Sequence, residues 1–208
     1  MKDYQNFRCP YVSKEEIWQF AENFRVTWWP ENTIPVDMES IVEKRIKLSI
    51  EPYPNLFMDH DIDAFLKSDA TGIVVDLNHY MEERFRKRMR FSYAHEIGHY
   101  QLHRGLYADL AITTIDDWQL FISSVPDREY RFIEWQANEF AGRLLVPRNM
   151  LVEQIGSVKT TLAKNGRIDL LKQDPGMVLE SVSTYIAKPF DVSAEVIKIR
   201  VERESLWP

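Results

Sequence analysis

The sequence predicts an α+β protein in which a small antiparallel sheet of about three strands packs on a mainly helical core. Two periodicities and one motif predict it. Strict apolar and polar alternation marks short segments between Ile46 and Leu77, apolar residues at helical spacing mark longer segments on either side, and H-E-x-x-H stands inside one of the latter.

Ser13 is the expected cap of a first helix over residues 13–25, with Glu15 and Glu16 in its first turn and Ile17, Phe20, Ala21 and Phe24 on one face. Trp28-Trp29-Pro30 ends it. A second short helix around Val36 to Lys44 leads into Ile46-Lys47-Leu48-Ser49-Ile50, which reads as a strand closed by Pro52 and Pro54. Ile62, Ala64 and Leu66 alternate again, residues 68–72 make a turn, and Ile73 to Leu77 form a third strand. Asn78 is the expected cap of the next helix, which carries Glu82 and Glu83 in its first turns and runs to about Arg104. Residues 106–125 show no clean period and read as a loop with a short element. After Pro126, the residues Tyr130, Ile133, Ala137, Phe140, Ala141 and Leu144 fall on one face of a helix ending near Pro147. Towards the end, a helix, Lys188-Pro189-Phe190-Asp191 and a Ser193-capped helix imitate a helix-turn-helix.

Composition narrows the function. At 208 residues and 45% hydrophobic content the chain can bury a core unaided, and its single cysteine, Cys9, excludes an intramolecular disulfide. No signal-peptide core and no membrane-length apolar run is present, so we expect a soluble cytoplasmic protein. A formal charge of −6 argues against broad attraction to nucleic acid or anionic membrane. The basic run Arg84, Arg86, Lys87, Arg88 and Arg90 is a local exception that reads as a solvated helical face. Beyond Gly176, Lys188, Lys198, Arg200 and Arg203 stand against Glu180, Asp191, Glu195, Glu202 and Glu204, a poor phosphate-binding balance. The C-terminal pair therefore reads as packed structure. The alternative is a DNA-binding or adaptor protein whose metal site is structural.

The motif carries the chemistry. His95 and His99 lie four apart on one helical face, so both imidazoles can reach one ion about 2.0 Å from each ring nitrogen. Glu96 sits roughly 100° further round, which suits a base that takes a proton from water at the ion. A third protein ligand is needed, and His103 is the nearest candidate. An unbroken helix puts it roughly 12 Å along the axis from His95, too far for one ion, so His103 reads as a support or structural residue. On the helix after Pro126, helical geometry sets Glu134 roughly 70° and Glu139 roughly 150° from the middle of the apolar stripe. Glu134 then borders the core while Glu139 faces water, and Glu129 is disfavoured near the helix start. Asn138, one turn after Glu134, can support a ligand. Ala94 and Gly98 on one helix, with Ala137, Ala141 and Gly142 on the other, would let the two lie close. His60 and His79 lack ligand spacing, and Cys9 reads as an inert thiol.

Phe91-Ser92-x-Ala94-His95-Glu96-x-Gly98-His99-x-x-Leu102-His103, followed by Glu134-x-x-Ala137-Asn138-x-Phe140-Ala141-x-x-Leu144-Leu145-x-Pro147, closely resembles the ImmA/IrrE family of metallopeptidases. The likeness extends over most of residues 36–207. It implies a minimal, thermolysin-like zinc metallopeptidase with His95, His99 and Glu134 on one Zn²⁺, Glu96 as catalytic base, and a helix-turn-helix transcriptional repressor as the kind of protein cleaved. On this reading residues 1–208 form a single metallopeptidase domain, with a catalytic core over about 36–147 and a C-terminal helical extension over about 148–208. Tyr130, Tyr107 and His103 are candidates for stabilising the oxyanion. The strand Ile73 to Leu77 leads almost directly into the metal helix, and we expect it to be an exposed edge to which substrate adds as a further strand.

Overall fold

The computed structural model describes residues 4–208. Ser13 caps α1 (Lys14–Trp28) through a capping box, its hydroxyl accepting from the Glu16 N–H while the Glu16 carboxylate accepts from the Ser13 N–H at 2.9 Å. A π-helical segment, Ser40–Ile46, follows and ends where Lys47 takes a left-handed φ of 65°. These two features delay the first strand, β1 (Ser49–Tyr53), to a point beyond the start of the Ile46–Ile50 alternation. Pro52 lies inside β1, which a sheet tolerates at an edge. After α2 (Leu56–His60) come β2 (Ala64–Leu66) and β3 (Gly72–Asp76), and the spatial order is β1-β3-β2.

The sheet is mixed, where the sequence suggested antiparallel pairing throughout. β2 pairs antiparallel with β3 across the tight turn after Leu66, but β1 pairs parallel with β3 because α2 and β2 intervene as a crossover. This order also overturns the expectation for Ile73 to Leu77. β3 is the central strand and is buried along its whole length, as its unbroken Ile73-Val74-Val75 run requires. It has no free edge.

Asp76, rather than Asn78, starts the next helical stretch, since its carboxylate accepts the His79 N–H at 2.8 Å and caps α3 (Leu77–Met81). Glu82 is extended, a 3₁₀ turn spans Glu83–Phe85, and only then does α4 (Arg86–Leu102) begin. The stretch without a sequence period holds α5 (Arg104–Leu110) and α6 (Ile115–Ser124), the latter boxed by Thr114 and Asp117. α7 (Asp127–Leu145), α8 (Arg148–Lys164), α9 (Leu170–Gln173), α10 (Pro175–Ala187) and α11 (Ala194–Arg203) complete the chain. The site depends on α4 packing against α7. A Cβ built on Gly98 would lie 3.0 Å from the Ala137 Cα and carbonyl oxygen, so glycine is what lets the two backbones approach. Gly142 serves a different contact, since the Arg200 Cδ of α11 stands 3.0 Å from the same construction.

The basic run is an exposed face at Arg84, Arg86, Lys87 and Arg88, as expected, but three of its arginines also tie it to distant parts of the chain. Arg88 grips Asp63 through Nε at 2.7 and 2.9 Å, Arg86 pairs with Asp191 at 3.1 Å, and Arg90 donates to the Phe190 carbonyl at 3.2 Å. Asp63 lies in the loop before β2 and Asp191 in the turn before α11, carboxylates too distant in sequence for local charge counting to pair.

Candidate metal centre

His95 and His99 stand one turn apart on α4, and their Nε2 atoms are 3.0 Å from each other. Glu134 reaches them from α7, with Oε2 3.1 Å from His95 Nε2 and Oε1 3.4 Å from His99 Nε2. All three ligand atoms lie within 4.8 Å of one another. A tetrahedral ion with bonds of about 2.0–2.1 Å separates its donors by roughly 3.3–3.4 Å, so this N, N, O set fits zinc with shifts of a few tenths of an ångström.

The same proximity governs the charges. Burial opposes a proton on His95, but the Glu134 carboxylate outweighs it and raises the pKa to about 9. Burial also opposes the charge on Glu134, and the two imidazoles outweigh it, holding that carboxyl well below the usual range. Glu96 stays out of the cluster. It lies buried on the same helix, where its Oε2 accepts the Leu66 N–H of β2 at 2.8 Å. Its pKa is raised by burial, against the pull of His99 and His95.

These groups line one cleft of about 290 Å³, together with Ala64 and the two phenols Tyr107 and Tyr130. Burial, then the nearby carboxylates Glu134 and Glu96, raise both phenol pKa values, so both hydroxyls keep their protons. His103 is walled off behind His99 and does not reach the cleft. It contacts the cluster from behind: each imidazole that faces the cluster through Nε2 meets a polar partner through Nδ1, namely Asn138 Oδ1 at 3.0 Å for His95 and His103 Nδ1 at 3.0 Å for His99. Gln136 bonds the far side of His103 at 3.1 Å. Sequence reasoning missed it, although a glutamine among the inward positions Ile133, Ala137 and Phe140 is itself a signal, because a buried amide must find partners.

Glu139 is the clearest correction. It is buried instead of facing water, accepting from Trp18 Nε1 at 3.0 Å and pairing with Arg203 Nε at 3.1 Å. A single apolar stripe describes a helix covered on one side, whereas α1 and α11 cover this second side of α7 as well. His79 is buried against Asp63 at 2.7 Å, and Cys9 lies behind Gln136, away from the cleft.

Two imidazoles and a buried carboxylate on one helix, a second carboxylate on a facing helix and a strand edge along the same cleft make up a metallopeptidase. The chain belongs to peptidase family M78: the IrrE N-terminal-like domain matches residues 58–202, from within α2 to within α11. No curated protein matches it.

Proposed function

We propose that the protein is a zinc-dependent endopeptidase that cleaves a specific regulatory protein, such as a helix-turn-helix repressor, with His95, His99 and Glu134 holding the metal and Glu96 as general base. The observation that carries this reading is the gathering of three donors within 4.8 Å in a cleft that also holds a separate, buried carboxylate. Zinc, when bound, supplies Lewis acidity that polarises the scissile carbonyl and acidifies water. Glu96 takes the proton from the attacking water and delivers it to the leaving amine, and its raised pKa brings it closer to that of a base suited to neutral pH. Tyr107 and Tyr130 line the same cleft, and we assign donation to the developing oxyanion to one of these hydroxyls.

Substrate is held by β2, the edge strand nearest the cluster. The Lys67 N–H and the Asp63 carbonyl both bond towards β3, so the twofold alternation of a strand turns the peptide groups of Ala64 outward along the cleft. An extended substrate pairs there, next to Glu96. Ala64→Pro removes that outward donor, and we expect KM to rise about tenfold, near the net worth of one hydrogen bond, with zinc content unchanged. Unaltered KM for a cognate substrate would move the binding edge elsewhere. Past Glu134 and Asn138 the cleft opens into an apolar groove of about 620 Å³ between α7 and α11, walled by Trp135, Val196 and Ile199, and we place a substrate side chain in it.

The helix-turn-helix-like pair offers little to DNA. Lys198 pairs with Glu180 and Glu195, Arg200 with Glu204, and Arg203 with Glu139. No helix among the described residues is long and apolar enough to cross a membrane. The test of specificity uses two substrates. Zinc-loaded wild type should leave denatured casein nearly intact over hours while cutting one repressor, captured on Glu96→Gln, at one bond. Rapid cleavage of casein at many sites, abolished by Glu96→Gln, would contradict the regulatory part and leave the peptidase part standing.

A further inference from the structure

We propose that the N-terminal segment around Pro10, outside the family-matched region, is a working part of the metal centre: through Gln136 and His103 it fixes which nitrogen of His99 carries the proton. The inference rests on the metal-centre reading above. Its basis is a continuous chain of contacts from Pro10 O to Gln136 Nε2 (2.8 Å), Gln136 Oε1 to His103 Nε2 (3.1 Å), and His103 Nδ1 to His99 Nδ1 (3.0 Å).

The chain has only one consistent direction, because one end of it is unambiguous. A backbone carbonyl can only accept, so the Gln136 NH₂ must face Pro10 and its oxygen must face His103. An amide oxygen can only accept, so His103 carries a hydrogen on Nε2, and because it is buried and bonded to no carboxylate it is neutral and leaves Nδ1 bare. That bare nitrogen accepts from His99, whose hydrogen is therefore on Nδ1. The His99 Nε2 lone pair is left facing the space between Glu134 and His95 that a metal ion would fill, as ligation requires. Reversing any one group would set two lone pairs or two hydrogens against each other at about 3 Å. Water cannot repair such a fault, since His99 and His103 are each 2% exposed and Gln136 is 0% exposed.

The anchoring carbonyl is itself clamped. The Cys9 N–H donates to Glu129 Oε2 on α7 at 2.9 Å, the Tyr4 hydroxyl donates to the Leu110 carbonyl at 2.9 Å, and Cys9 Sγ gives Gln136 Nε2 a second, longer contact at 3.4 Å. Proline fixes its own φ, which stiffens the segment where the chain of contacts begins. His103 and Gln136 are thus positioning residues, and the segment before α1 contributes by holding them.

Nitrogen NMR of the histidine rings and zinc affinity by chelator competition test this together on the full chain. Wild type should show His103 with its hydrogen on Nε2, with or without zinc. Gln136→Met should lose that preference and weaken zinc binding about tenfold, His103→Phe should weaken it by roughly 10- to 100-fold, and the double variant should bind no more weakly than His103→Phe alone. Glu129→Ala should weaken it by a smaller factor, and Glu129→Gln, whose amide oxygen still accepts from Cys9, should restore it. Thermal unfolding of the same variants separates any folding cost from the metal effect. A wild type that binds no zinc would refute the metal-centre reading itself. A wild type that binds zinc with the His103 hydrogen on Nδ1, or with affinity untouched in Gln136→Met and His103→Phe, would refute this inference alone. Unchanged affinity in Glu129→Ala would remove the N-terminal segment from it.

Discussion

Glu96→Gln is expected to lower kcat/KM for peptide cleavage by roughly 10³-fold while the protein keeps one zinc per chain, the scale of loss when a general base is removed. The amide has the shape of the carboxylate, and its oxygen can still accept the Leu66 N–H that Glu96 accepts at 2.8 Å. The edge strand therefore stays in place. On the proposed mechanism what disappears is the basic oxygen that receives the proton from water, so the loss should fall on kcat with KM little changed. Steady-state kinetics with elemental analysis of the same sample provide the check. Activity within tenfold of wild type at full zinc occupancy would remove Glu96 from the mechanism.

Glu134→Ala is expected to lose the metal, whereas Glu139→Ala is expected to keep it and to unfold more easily. The two glutamates are five residues apart on α7, yet they serve opposite faces. Glu134 supplies the only carboxylate of the three-donor cluster, and two imidazoles alone leave the ion short of a protein ligand. Glu139 neutralises a different group. It stands with Trp18, Arg203 and the buried Arg200, whose pKa burial lowers to about 10 and whose Nε and Nη1 have no hydrogen-bond partner. Removing its charge should cost about 3 kcal/mol of stability, in the range for breaking a buried ion pair. Elemental analysis and denaturant unfolding of both variants decide the matter. Full zinc in Glu134→Ala, or its loss from folded Glu139→Ala, would reverse the roles.

Much of this centre was legible because its parts are periodic and local. The i, i+4 spacing of His95 and His99 and the apolar stripe of α7 set the two helix faces, and small residues at Gly98 and Ala137 marked where those faces meet. What escaped was decided by distant partners. Glu139 looked solvent-facing because its covering elements, α1 and α11, come from the two ends of the chain. β1 looked antiparallel to β3 because alternation reveals a strand but not its direction, which the intervening α2 and β2 determine. The capping Asp76 was overlooked for Asn78 because either residue type suits a helix start, and only the chain path out of β3 chooses between them. Gln136 and the segment around Pro10 are joined across more than a hundred residues, a pairing that no local pattern encodes.

Crystals of the zinc-loaded protein, with data collected on both sides of the zinc absorption edge, test the central claim most directly. We predict one anomalous peak per chain about 2.0–2.2 Å from His95 Nε2, His99 Nε2 and a Glu134 carboxylate oxygen, with Glu96 outside bonding distance. A peak coordinated by His103 or Glu96 in place of Glu134, or no ordered peak between α4 and α7, would contradict it.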